Sequence, residues 1–189
     1  MQQEQQAQQQ QQQLAADLAK AQGAASEAVQ QITRDLPGLT VQQQLAGKLQ
    51  AADMALALET SDYNDTKALA GPTADCTAVS NSITKVSDAE SAVSDATSAL
   101  SSSAGDVASA ASTVTSDVDA ARQAQQTVQQ RGGSPDITEG QQIEQADNAR
   151  RAASAASDAA RTQAQTLYTQ ANDFYGKASS LNASCNENG

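Results

Sequence analysis

The chain has no histidine and no tryptophan, one phenylalanine, three prolines and two cysteines. Each scarcity removes something. Without an imidazole there is no usual base for a Ser, Cys or Thr hydrolase, and no histidine ligand for zinc, copper or haem. A di-iron bundle, which needs Glu-x-x-His on two of its helices, is excluded for the same reason. Aromatic residues, at 2%, cannot fill a thick globular core, so any core here is thin. No long apolar run offers a membrane span. The N-terminus MQQEQQAQQQQQQ lacks the basic-then-apolar order of a secretion signal. Neither a G-x-x-x-x-G-K-[ST] phosphate loop nor a Gly-rich dinucleotide turn occurs. The segment Asp62 to Lys67, DYNDTK, begins like a calcium loop but places a threonine and a lysine where an acid or amide and then a glycine are needed, so it reads as a polar helix end. The expectation is a protein that is not an enzyme and has no cofactor and no metal.

What the chain does contain points to helices. Ala, Gln, Ser, Thr and Asp dominate its 189 residues, and only ten glycines interrupt them. The length suits a single folding unit, and the class is all-α. The net charge of −11 sets the field of the molecule against phosphate backbones and anionic lipid, so neither nucleic acid nor membrane insertion is expected. Asp88, Asp95, Asp106, Asp117 and Asp119 read as a solvated helix face rather than a cation strip.

Every seventh residue from Val79 is small or aliphatic: Val79, Val86, Val93, Leu100, Val107, Val114, Ala121 and Val128. A flexible linker or glycosylated stalk has no reason to keep such a register, so the Ser-rich stretch SAVSDATSALSSSAGDVASAASTV within it is predicted to be a long helix. Ile83, Ala89, Ala96, Ala104, Ala110 or Ala111, Val118 and Ala124 form the companion seam. The last third repeats the pattern with Ala146, Ala153, Ala160, Leu167, Phe174 and Leu181, flanked by Ile143, Ala164, Ala171 and Ala178. Between the two lies RGGSPDITEG, where Gly132 and Gly133 stop one helix and Ser134 with Pro135 can start the next. Two helices joined by so short a turn lie antiparallel, and alanine on both seams lets their backbones approach closely. Arg150 falls on a seam position with Arg151 and Arg161 near it, and these side chains are expected to snorkel and balance aspartates across the hairpin.

The first third divides at Pro37 and Gly38. Leu14, Leu18, Ala25, Val29, Ile32 and Leu36 stripe the helix before the break. Val41, Leu45, Leu49, Ala52, Leu56 and Tyr63 stripe the one after it, which opens on a Thr40 and Gln43 capping box and ends at Gly71 and Pro72. The expected division is a Gln-rich segment 1–13, either a helix extension or disordered, and a single helical-bundle domain 14–189 with helices at about 14–36, 41–70, 77–130 and 136–182. The two short helices are about half as long as the later pair, which predicts four helices side by side near one end and a bare two-helix arm beyond them. End-to-end stacking of the short helices against the long pair is the alternative.

Cys76 precedes the third helix and Cys185 follows the fourth. Counted from the turn, the arms differ by six residues, about 9 Å of helix, which the non-helical ends TADC and ASCNENG could absorb. An antiparallel hairpin therefore predicts a Cys76–Cys185 disulfide and, with it, an oxidising compartment. The fold expected is an elongated antiparallel bundle with two short N-terminal helices packed on a long, disulfide-clamped, alanine-rich coiled-coil hairpin.

Such a chain suits a non-catalytic structural or surface-display protein, a rigid spacer or protein-interaction module at the cell surface or outside the cell, exported with its leader not part of this chain. The tip residues Arg131, Gly132, Gly133, Ser134, Pro135, Asp136, Ile137, Thr138 and Glu139 are the candidate partner-binding site. A self-assembling subunit of a filament, surface layer or virion is the alternative, since a Gln-rich helix can pair with a second chain. A third reading, a carrier holding a small apolar ligand between the short helices near Met54, Leu56, Leu58 and Tyr63, has little cavity to work with.

Overall fold

The computed structural model describes residues 2–71 and 75–187. Pro72, with part of the break and of the TADC end expected there, lies outside the described residues, as do Met1 and the last two residues of ASCNENG. Four α-helices follow one another: α1 (Gln2–Asp35), α2 (Gln42–Leu69), α3 (Cys76–Gln130) and α4 (Ile137–Glu187), with a 3-10 segment, Leu36–Val41, between α1 and α2. There is no strand among the described residues. The glutamine run is helical from Gln2, as an extension of α1.

The seam series of α3 is buried throughout: Val79, Val86, Val93, Leu100, Val107, Val114, Ala121 and Val128 are all within 3% of full burial. On α4 Ile143, Ala146, Ala153, Ala160, Ala164, Leu167, Ala171 and Ala178 are buried opposite them. A strict seven-residue repeat keeps one stripe of a helix facing its partner, and small side chains on it keep that partner close. Close packing divides the chain into two compact units, each with three helical stretches. The first joins Met1–Thr40 with Val107–Ala155, so that α1 packs on the turn-side portions of α3 and α4. The second joins Val41–Asp106 with Ala156–Gly189, so that α2 packs on the portions nearer the cysteines.

The four-helix section and bare arm expected from helix lengths are therefore not formed. α1 packs within the first unit and α2 within the second, and the residues between them, Leu36–Val41, form a 3-10 segment with no positive-φ residue. The capping box is not formed either, for the same reason. Val41, the residue before α2, already has helical φ and ψ, and the Thr40 hydroxyl donates back to the Pro37 carbonyl at 2.6 Å. Preceding 3-10 carbonyls take the place of a cap.

The long helices do start on caps. Asp75 Oδ1 accepts from the backbone N–H of Thr77 at 2.9 Å and of Ala78 at 3.4 Å at the head of α3. At the head of α4 the cap is Asp136 rather than Ser134, and its Oδ1 accepts from Thr138 at 2.7 Å and Glu139 at 3.1 Å.

Candidate functional site

In the first unit the turn after α3 closes by paired backbone bonds. Gly133 N–H reaches the Val128 carbonyl at 2.9 Å and Gly132 N–H the Gln129 carbonyl at 3.0 Å, with Gly132 at φ +79°. That left-handed residue is what the glycine supplies. The candidate tip is not a bare end, because α1 lies along it. Arg131 pairs with Asp17 at 2.8 Å, and Leu18 packs so closely over Gly133 that a Cβ there would stand 2.6 Å from its Cδ1. Glu139 is half-buried near Ser26 of α1; burial and the Asp136 charge push its carboxyl up, while the Ser26 hydrogen bond pulls the other way. Ser134, Ile137 and Thr138 stay exposed, Ile137 at 79%. Ile137 edges an open groove of about 570 Å³ lined also by Arg122, Gln125, Gly140, Ile143 and Glu144.

Beside that groove sits a buried acid. Asp147 on α4 is buried and faces three guanidinium groups: Arg122 from α3 at 2.8 Å, Arg151 at 2.6 Å, and Arg150 at 2.6 Å from Oδ1. The Arg150 contact is an ion pair without hydrogen-bond alignment, since neither Asp147 Oδ1 nor Arg150 Nε has a hydrogen-bond partner. The hydrogen bond from Arg122 holds the Asp147 carboxyl below the usual carboxylate range despite burial, helped by all three positive charges. Arg150 and Arg151 thus serve an aspartate of their own helix, and Arg122 is the residue that crosses the hairpin.

Farther from the turn in the same unit, Asp117 of α3 shares a hydrogen bond with Asp35 at the end of α1. Gln31 donates to Asp35 at 2.8 Å. Burial, then this carboxyl partner, pushes the Asp117 group up, and its Oδ2 is enclosed without a partner. Of the five aspartates expected on a solvated face, Asp88, Asp95, Asp106 and Asp119 are exposed, but Asp117 faces α1.

In the second unit Cys76 and Cys185 are bonded, with their Cα atoms 5.7 Å apart. The slack is not taken up by an unwound C-terminal end, because α4 runs through Cys185 to Glu187. Ser157 donates to the Ala104 carbonyl at 2.7 Å; Ala104 lies 28 residues after Cys76 and Ser157 lies 28 before Cys185. The arms therefore keep one register over this length, and the six-residue excess of α3 falls on the turn side of it. On α2 the heptad row is Leu45, Ala52, Glu59 and Thr66, all buried. Thr66 Oγ1 and Ser82 Oγ are hydrogen-bonded at 2.8 Å. Glu59 is 0% exposed, and neither carboxyl oxygen has a hydrogen-bond partner. Burial, then the neighbouring charge of Glu90, pushes its pKa up to about 7. Tyr63 meets Phe174 with ring centroids 5.3 Å apart, whereas Met54 and Leu58 are 62% and 66% exposed.

Glu59 and Thr66 escaped the apolar stripe read for α2, although the heptad row from Leu45 runs straight through both. Asp62 to Lys67 is helical, with Thr66 buried in it. Among the described residues no group of three or more His, Cys, Asp or Glu side chains could hold a metal ion, and no helix is long and apolar enough to cross a membrane. Comparison with protein-family models, curated proteins and solved structures finds no match to the chain.

Proposed function

We propose that this chain is a non-catalytic, extracytoplasmic spacer that carries a protein-binding surface at the turn of its long hairpin. The observation that carries the reading is the Cys76–Cys185 bond, which closes the open end of a hairpin whose seams are mainly alanine and valine. Small side chains bury little apolar area each, so such a pair gains more from a covalent clamp than a Leu-rich bundle does. Disulfides persist in oxidising compartments, so the bond supports a reading in which the protein works outside the cytosol, as display requires. Ser134, Ile137 and Thr138, with the groove beside them, are the tip residues left open to a partner. The test is the thiol state in protein taken from its own cells and alkylated in denaturant without reductant. Two protected cysteines support the reading, and alkylation of both overturns the compartment and the display role together.

A self-assembling subunit is the second reading, favoured by the exposed start of α1. Residues 2–17 are solvent-exposed, and Leu14, 60% exposed, continues the row of Ala21 without hairpin to cover it. Light scattering against dilution separates the two: a mass that stays at one chain sinks assembly.

A further inference from the structure

Glu59 is a carboxyl group placed where α2 should present an apolar side chain. It occupies the heptad row with Leu45, Ala52 and Thr66, is fully buried, and has no hydrogen-bond partner on either oxygen. The bond between Thr66 and Ser82 sets the register of α2 against α3, and one heptad back along antiparallel helices brings Glu59 level with Ala89 and Glu90. The charged groups around it offer no cation to hold it. From α3 comes Glu90, whose charge is of the same sign. Lys85 of α3 lies one turn away in the groove with Asp65. On α4, near the Phe174 ring that meets Tyr63 one turn along from Glu59, Asp173 and Lys177 are spent on each other at 2.6 Å. Leu45 is the only large aliphatic side chain buried along α2, with Leu49 and Leu56 half-buried, so the apolar hold on this helix is thin.

We propose that α2 stays docked on the hairpin only while Glu59 is protonated, and that ionisation of this carboxyl releases α2 while the Cys76–Cys185 bond keeps α3 and α4 together. A neutral carboxylic acid is a tolerable guest among alanine and valine; an unpaired carboxylate there is not. The window follows from the shift. The group's pKa is about 7 when buried against 4.5 when free, so its contribution is complete below pH 4.5, declines as pH rises through that interval, and is absent above about 7. Each pH unit between the two values weakens docking tenfold, and the full interval gives about 300-fold. In so thin a section water stands close to every buried atom, which reduces this to roughly 100-fold.

The experiment compares the whole, oxidised chain with Glu59→Gln, which keeps the shape and cannot ionise. Amide exchange of α2, corrected for its intrinsic pH dependence, is followed from pH 4.5 to 8. The wild type is expected to lose roughly 100-fold of protection over residues 42–69, with the α3 and α4 cores retained, and Glu59→Gln to show no such loss. Equal pH dependence in the two proteins, or α2 protection unchanged in the wild type, overturns the proposal. If Glu59→Gln fails to fold, the wild-type exchange profile decides alone, since acids elsewhere in the chain would loosen α1 rather than α2.

Discussion

Cutting the Cys76–Cys185 bond should destabilise the fold without changing its helices. The bond closes a loop 109 residues apart in sequence, for which the chain-entropy model gives about 5 kcal/mol of stabilisation. That compares with a total of roughly 5 to 15 kcal/mol for an ordinary domain. The native partners add little strain of their own, since the Cα separation of 5.7 Å lies within the span a disulfide prefers. With a urea dependence of about 2 kcal/mol per molar, the midpoint of unfolding should fall by about 2.5 M when the chain is reduced. The assay is circular dichroism in urea, run on oxidised protein, on protein in reductant, and on a Cys76→Ser, Cys185→Ser double variant. The variant separates loss of the tether from the chemistry of free thiols. Exchange should rise first in the last turns of α4 and the first turns of α3, which the bond holds. A midpoint shift under about 0.5 M, with helicity intact, would show that the seams alone hold the hairpin. The argument for a clamp, and with it the reason to place the protein in an oxidising compartment, would then fail.

Three further outcomes follow from the first unit. Asp147→Asn should cost about 1 to 2 kcal/mol by urea titration at pH 7, less than a fully buried pair because Arg122 and Arg151 are partly exposed and can turn to water. Because the Asp147 carboxyl is held below its usual range, its contribution is present above pH 3.8 and fades as pH falls through the lower folded value; the variant should therefore lose part of the acid limb of the stability profile. Gly133→Ala forces a methyl to within 2.6 Å of Leu18 Cδ1 and 3.2 Å of the Val128 carbonyl, and should cost about 1 to 2 kcal/mol, read as faster exchange over α1 residues 18–29. Asp117→Asn can still donate to Asp35 and removes a like charge, so it should raise Tm by about 2 °C at pH 8 and leave it unchanged at pH 3. A lower Tm at pH 8 would show that Asp35 and Asp117 still share a proton there, so that the substitution removes a favourable bond and relieves no like charge.

The repeat from Val79 to Val128 could be read because it repeats one residue class at one interval, and burial follows from geometry once the interval matches a supercoiled helix. The disulfide followed from counting, which needs only that the turn be placed within a few residues. Where α1 and α2 pack was harder, because Pro37 and Gly38 suit a reversal and a 3-10 continuation about equally, and the choice depends on whether each short helix finds a length of hairpin to itself. Asp75 and Asp136 were open to a capping argument, since each stands directly before the first helical residue and its charge suits the positive end of the helix.

The internal acids are a different kind of omission. A pattern reading assigns polar residues to solvent, and for Asp88 or Asp95 that is right. It fails for Glu59, Asp117 and Asp147: a neighbouring helix supplies Asp35 as a partner for Asp117 and Arg122 for Asp147, whereas Glu59 meets only the like charge of Glu90. None of these partners is near in sequence. A row such as Leu45, Ala52, Glu59 and Thr66 can be read for position but not for chemistry until the facing helix is known. In a core this poor in large apolar side chains, the charge state of Glu59 against α3 and of Asp117 against α1 weighs heavily on how well each short helix packs on the hairpin. The pH response of α1 and α2 is therefore the most direct measure of which of these partners hold.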